Sequence, residues 1–575
     1  MISTPFRPRS ERSVRHPRLR GFLWAATVAC AALAPPCLAA ADEEGAASRW
    51  GEAAVVQTTG GAVAGFVRNG ALEFRGIPYG ASVGGEGRWA APKPAPAWDG
   101  VLPAMHFGPA CAQAARYGLT ERSDSEDCLS LNVSLPYDGG AIAAQKRPVI
   151  VWIHGGGFVG GSSSLYRLDR LARLADAVVV TMNYRLGVFG FMPHPAFEAA
   201  INGGFALEDQ RLAMRWVKAN IAAFGGDPDN ITLAGESAGA ASVCTHLVTP
   251  EETAGLFHKA IVQSAACVFK FRSVEERSSF GLAVAKEAGC ADPATALACL
   301  RSKDPQALIA AGDRAGAGDL MAFAPPYGTR ALPRPGLEAL QTGAFVKVPV
   351  LNGGTRDELR LYLGYDVQAG TAYTADTYAA TVEAAYGDKA PAVLARYPLD
   401  RFPSAAVALG TLMSAFRPDI GINQCLYLET ARLLSRHVPV YQWEFADRRT
   451  PMLGVAMPIQ PDPGFPLGAA HSAELNALFP NFSNTVAMSA PDLAPASQAL
   501  ADRIVASWAR FIRTGNPGAE PGSVQSGAAA PPAWKPYAEG ATTMRFEPGD
   551  IRPVDLAAED QCAFWRSLYP DRFGE

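Results

Sequence analysis

The chain has 575 residues, 49% hydrophobic and 18% charged, with 51 Lys+Arg against 55 Asp+Glu. That length and apolar fraction can bury a large core, as one large α/β unit or as two to four smaller domains, and exclude a disordered or fibrous chain. A mildly acidic balance argues against a nucleic-acid partner.

The N-terminus departs from this average. Met1 to Arg20 holds six Arg and one Glu, "GFLWAATVACAALAPPCLAA" is apolar, and "ADEEGAASRW" is polar and acidic. This is the layout of a secretory signal peptide. The Pro35-Pro36 pair and the small residues Ala39 to Ala41 suit cleavage better than a permanent membrane span. Neither "TVAC" nor "APPC" suits lipidation. Residues 1–41 are therefore expected to be removed, leaving 42–575 as the mature chain, secreted or periplasmic, with 45 basic and 54 acidic side chains. Ten cysteines fall to eight, an even number in a compartment that permits disulfides.

No transmembrane run follows the leader, and no self-similarity at about 20 to 50 residues suggests a solenoid. Between Gly60 and Lys270, the β-branched runs "RPVIVWIH" (Arg147 to His154), "AVVVTMNY" (Ala177 to Tyr184) and "NITLAGES" (Asn230 to Ser237) alternate with helical patterns such as "LEDQRLAMRWVKANIAAF". Such alternation predicts a mostly parallel sheet covered by helices. Further strands are expected at "KVPVLNGGTRDE" (Lys347 to Glu358) and "VPVYQWEF" (Val438 to Phe445), separated by a helix-rich stretch. Gly- and Pro-rich segments at 447–468 and 515–532 are expected to be long loops.

Two of these strands run into glycine-rich turns. "WIHGGGFVGG" leaves the backbone N–H groups of Gly156 and Gly157 free to approach a reacting carbonyl oxygen. In "ITLAGESAGAASV" small residues flank Ser237, so a tight strand-to-helix turn can expose its hydroxyl, with the N–H of Ala238 as a third donor. At this glycine and serine content a random G-x-S-x-G occurs roughly 0.3 times per such chain. By itself the pentapeptide is either a nucleophile turn or a glycine-bounded strand end with a helix-start serine.

A serine hydroxyl needs a base to act as a nucleophile near neutral pH. Of eight histidines, His16 lies in the leader and His154 precedes the glycine run, while His106, His194, His246, His258 and His437 lack a catalytic loop setting. His471 lies in "PLGAAHSAELNALF", on the loop after "VYQWEF".

Spaced segments then converge on one family. "FRGIPYG" (Phe74 to Gly80), "RWAAPKPAPAWDGVLPAMHFGPACAQ" (Arg88 to Gln113), "SEDCLSLNV" (Ser125 to Val133), "NYRLGVFGF" (Asn183 to Phe191), "WARFIRTGNP" (Trp508 to Pro517) and "QCAFWRSLYP" (Gln561 to Pro570) join the two glycine motifs. From about Gly60 to Pro570 the chain resembles the type-B carboxylesterase and cholinesterase family of α/β-hydrolases.

The resemblance implies an α/β-hydrolase fold, with a large mostly parallel central sheet flanked by helices in a single domain. It implies a nucleophilic serine, an acid and a histidine in that chain order. The acid is Glu358, chosen over Asp357 in "NGGTRDELRLYLG", although Leu359 stands where the family usually has a small residue. The implied reaction is ester hydrolysis through an acyl-enzyme on Ser237, with His471 as general base, Glu358 as orienter, and Gly156, Gly157 and Ala238 as oxyanion donors. Its partner is a small-molecule ester, without metal or organic cofactor. Glu236 is assigned a structural part and Glu474 a supporting one.

The same resemblance pairs Cys111 with Cys128, Cys290 with Cys299, and Cys425 with Cys562. Cys244 and Cys267 are expected to stay free rather than form a fourth bridge. Only sixteen residues separate Cys111 from Cys128, and that loop offers Tyr117 but no Trp, which disfavours a choline-type cation site. Phe158, Tyr166, Tyr362, Tyr365 and Phe416 are either pocket walls or ordinary core. The sequons at Asn132, Asn230 and Asn481 are assigned no glycan. A lipase or acyltransferase would use the same catalytic residues, and a non-catalytic binding protein could use the same scaffold.

Overall fold

The computed structural model describes residues 55–115, 122–140, 142, 145–317, 319, 321–451, 462–480, 482, 492–518 and 533–574. The expected signal peptide, Tyr117 and the sequon at Asn481 lie outside them, as does most of the expected 515–532 loop.

In chain order the strands are β1 (Val55–Gln57), β2 (Ala62–Ala64), β3 (Phe66–Arg68), β4 (Ala71–Pro78), β5 (Val101–Pro103), β6 (Ser130–Pro136), β7 (Arg147–Ile153), β8 (Val178–Met182), β9 (Gly226–Glu236), β10 (Lys259–Gln263), β11 (Val350–Thr355), β12 (Val440–Phe445), β13 (Thr543–Glu547) and β14 (Asp550–Val554). Three of them, β1, β2 and β5, make a small separate sheet. The other eleven form one sheet in the order β14-β13-β12-β11-β10-β9-β7-β8-β6-β4-β3.

From β8 across to β13 every neighbouring pair is parallel. Both rims, β8-β6-β4-β3 and β13-β14, are antiparallel. The expected mostly parallel sheet is therefore present, with antiparallel margins that the apolar runs did not announce. β14 shows why: "DIRPV" carries Asp550, Arg552 and Pro553, suited to an edge and unlike a buried strand.

Alternation along the central strands builds two cores. Val149, Val151, Ile153, Leu233, Ala260 and Val262 face one, with Phe205, Met214 and Val217 of the helix Phe205–Asn220 and Val243 and Leu247 of the helix Ala238–Leu247. Ile150, Trp152, Ala234, Ile261 and Leu351 face the other, with Leu500, Ile504, Trp508 and Phe511 of the helix Pro495–Thr514. A strand buried on both faces has no polar side to display, which is why "VVVTM" of β8 is wholly buried.

Cys111–Cys128, Cys290–Cys299 and Cys425–Cys562 are bridged as expected. Cys244 and Cys267 correct the expectation of free thiols: they form a fourth disulfide, with Cα atoms 4.9 Å apart. The register of the sheet brings them together. β10 runs parallel beside β9, so the segment after β10 emerges next to the helix that begins just after β9. Replacing both by alanine is expected to lower the stability of the oxidised protein by about 2–4 kcal/mol, read as a lower denaturant midpoint at unchanged slope. An unchanged midpoint would show that this bridge adds nothing.

Candidate active site

Ser237 stands at the abrupt junction of β9 and the helix Ala238–Leu247, with φ 57° and ψ −125°. A non-glycine residue there carries strain of about 1–3 kcal/mol. The turn is held by its surroundings: the Ser237 N–H donates to the Gln263 carbonyl at 2.9 Å. The Ser237 side chain makes no helix-capping hydrogen bond. Its hydroxyl is thus committed to the other side of the turn.

There it lies 2.8 Å from Nε2 of His471. Nδ1 of His471 lies 2.7 Å from Glu358 Oε2. The other carboxylate oxygen, Oε1, accepts the Thr355 N–H at 2.9 Å and the Tyr427 hydroxyl at 3.0 Å. Glu358 follows β11, and His471 lies on the loop that follows β12, so adjacent parallel strands deliver both to one end of the sheet. Tyr427, on the helix Gln424–Leu434, carried no motif and escaped the sequence reading; its place opposite Glu358 is set by how that helix packs on β11.

The glycine loop after β7 sits beside this row. Gly156 and Gly157 have φ of 115° and 62°, and a Cβ on Gly156 would collide with the Gly160 carbonyl oxygen. Only glycine fits that bend. Among the described residues, the N–H groups of Gly156, Gly157 and Ala238 make no hydrogen bond to another protein group. His154 is excluded as a base, since it is buried against Tyr184 with ring centroids 4.3 Å apart. Burial lowers its pKa to about 4.

Two further carboxylates surround His471. Glu236 Oε1 lies 3.3 Å from Nε2 and accepts the Ser472 hydroxyl at 2.7 Å. Glu236 is therefore closer to the imidazole than its expected structural part required. Glu474 accepts from Gln263 Nε2 at 3.0 Å, and Gln263 in turn accepts the Trp508 indole N–H at 3.1 Å. Burial, then the charges of Glu236 and Glu358, raise the pKa of the Glu474 carboxyl. For His471, burial opposes the charged form, but Glu236, Glu358 and Glu474 outweigh it and raise the pKa above the ordinary 6.5. The site favours the imidazolium form of His471.

Of the aromatic residues with two readings, Tyr362 leans on the His471 ring at 5.7 Å, and Tyr365 packs edge-on against Tyr362 at 6.4 Å. Phe158 packs on Phe191 at 4.8 Å. Tyr166 belongs to a core cluster with Trp152 and Phe479, and Phe416 stacks on Trp565 at 5.3 Å. Those last two are core.

A serine on a tight β9-to-helix turn, at the end of a parallel sheet with rims of antiparallel strands, is the arrangement of an α/β-hydrolase. Residues 52–565 match the carboxylesterase family model, and the chain belongs to that family. It is 32% identical over 482 residues to the para-nitrobenzyl esterase of Bacillus subtilis (strain 168), covering 81% of this chain and 91% of that protein. The phenmedipham hydrolase of Pseudarthrobacter oxydans is 31% identical over 485 residues, covering 80% and 90%. A solved carboxylesterase from Geobacillus stearothermophilus superposes with a TM-score of 0.71 at 32% identity, covering 89% of this chain and all of that one. The protein is a carboxylesterase, and no helix among the described residues is long and apolar enough to cross a membrane.

Proposed function

We propose that this carboxylesterase works through an acyl-enzyme on Ser237. The observation that carries the reading is the continuous relay from Ser237 through His471 to Glu358, at 2.8 and 2.7 Å. His471 takes the hydroxyl proton as Oγ attacks the ester carbonyl. Glu358 holds the ring with Nδ1 protonated, which leaves Nε2 as the acceptor, and stabilises the imidazolium. The N–H groups of Gly156, Gly157 and Ala238 receive the oxyanion. His471 then protonates the leaving alcohol, and water, deprotonated by the same ring, releases the acid.

The mature enzyme is residues 42–575, one domain, exported after loss of residues 1–41. The four disulfides support an oxidising destination. N-terminal sequencing of exported protein is expected to begin near residues 40–42; an intact Met1 would overturn the leader.

Para-nitrobenzyl, short-chain aryl and long-chain esters should be assayed together, with and without an added alcohol acceptor. Faster turnover of the first two than of long-chain esters, with acid as the main product, is the expected result. Preference for long chains would make the protein a lipase, and ester exchange in place of acid release would make it an acyltransferase. Labelling with a fluorophosphonate should add one phosphonyl group, on the peptide that carries Ser237.

The pH profile tests the carboxylate surroundings. The base must be neutral, so kcat/KM is expected to rise with pH through a His471 pKa above 6.5. Glu236→Gln removes a negative charge beside Nε2, destabilises the imidazolium, and should move that rising limb to lower pH. A limb that stays in place or moves upward would remove Glu236 from the electrostatics of the base.

A further inference from the structure

Asp357, passed over as the acid in favour of its neighbour, is 3% exposed and gathers an unusual number of partners. Arg448, from the loop after β12, donates to both of its oxygens, Nε to Oδ2 at 2.8 Å and Nη2 to Oδ1 at 2.9 Å. Arg360 Nη2 reaches Oδ1 at 3.0 Å. Oδ2 also accepts the Ala469 backbone N–H at 3.1 Å, while the Asp357 N–H donates to the Ala469 carbonyl at 2.9 Å. Two residues on, the His471 N–H donates to the Glu358 carbonyl at 3.2 Å. Arg360 adds a bond from Nη1 to the Pro466 carbonyl at 3.3 Å.

The acid loop and the histidine loop are therefore laced together by backbone, and the Asp357 side chain is the pin. Gly468 has φ 68°, and a Cβ there would strike Asp357 Oδ2. The absence of a side chain lets the carboxylate press against the strand of loop that leads to His471. Arg360, next to the Leu359 that stands where the family usually has a small residue, supplies one of the two cations.

We propose that Asp357 is a positioning residue: anchored between Arg448 and Arg360, it holds the Gly468–Ala469 backbone so that His471 stays aligned between Glu358 and Ser237. This rests on the triad reading above. Asp357 touches neither the serine nor the imidazole and acts only through the loop. A loosened loop lets the ring drift from both Glu358 and Ser237, which slows proton transfer more than it weakens ester binding.

Asp357→Asn and Arg448→Met test this in the full chain beside Ser237→Ala. Both are expected to lower kcat, by about 10- to 100-fold for Asp357→Asn and about 3- to 10-fold for the half-exposed Arg448, with KM changed less than about threefold. Melting should remain cooperative.

The pH profile separates positioning from a direct field effect. His471 is faced by Glu236, Glu358, Glu474, Ser472 and Tyr362. Loosening its loop weakens the contacts with the carboxylates, so both variants should move the rising limb toward 6.5. A field effect alone moves the limb down when the anion of Asp357 is lost and up when the cation of Arg448 is lost. Opposite shifts, or wild-type kcat in Arg448→Met, overturn the proposal. Arg448 is exposed, so this arm stands even where Asp357→Asn fails to fold. Ser237→Ala with full activity would instead overturn the triad reading.

Discussion

Ser237→Ala is expected to reduce kcat by about 10⁴-fold or more on every ester the enzyme turns over, with KM little changed. The reason is chemical: alanine offers no nucleophile, and only the oxyanion donors and substrate binding remain. The fold should tolerate the change. Alanine meets the same φ of 57°, and the lost hydroxyl capped nothing in the helix that follows. Only Nε2 of His471 loses a partner. Purified wild type and variant, compared on one ester under steady-state conditions and by thermal melting, give the answer. Equal hydrolysis by the two would mean that the chemistry is elsewhere.

Glu358→Gln is expected to cost about 10³- to 10⁴-fold in kcat through the tautomer of His471. Tyr427 and the Thr355 N–H both donate to Oε1. Those donors select the amide oxygen for that position and turn the NH₂ group toward Nδ1. Nδ1 must then accept, which moves the ring proton to Nε2, and an Nε2–H cannot take a proton from Ser237. Glu358→Gln/Tyr427→Phe removes one of the two donors that select this orientation and should recover part of the loss. Steady-state kinetics of the single and double variants check this. Glu358→Gln with kcat within about threefold of wild type would remove the orienting role.

Much of the site was legible because its chemistry is local in the chain. Glycines around Ser237 and along 155–161 mark tight turns and close backbone approaches, and each group follows a β-rich run. His471 and Glu358 were found more indirectly, through the resemblance of their loops. Tyr427 and Gln263 had no such mark. Each is a polar residue buried within a regular element, and its importance comes from what faces it across more than 60 residues of sequence.

The disulfides divide the same way. Three pairs came from resemblance, whereas Cys244 and Cys267 depended on β10 lying beside β9, a fact of register that spacing does not contain. Glu236 is similar. In sequence it is the neighbour of Ser237, but alternation at the strand end and the sharp turn after it bring its carboxylate beside Nε2 of the imidazole.

What the sequence by itself determined is the class of fold, because hydrophobic periodicity and turn residues act over a few residues and are written where they act, while the order of Ser237, Glu358 and His471 is what the family resemblance implies. What only the tertiary structure decided is which groups surround those parts. Glu236 and Glu358 beside His471, the Tyr427 contact, the fourth disulfide and the Asp357 pin all join residues from separate elements of the chain. Their proximity follows from the pairing of parallel strands, whose connections run through helices and leave no short-range trace in the chain.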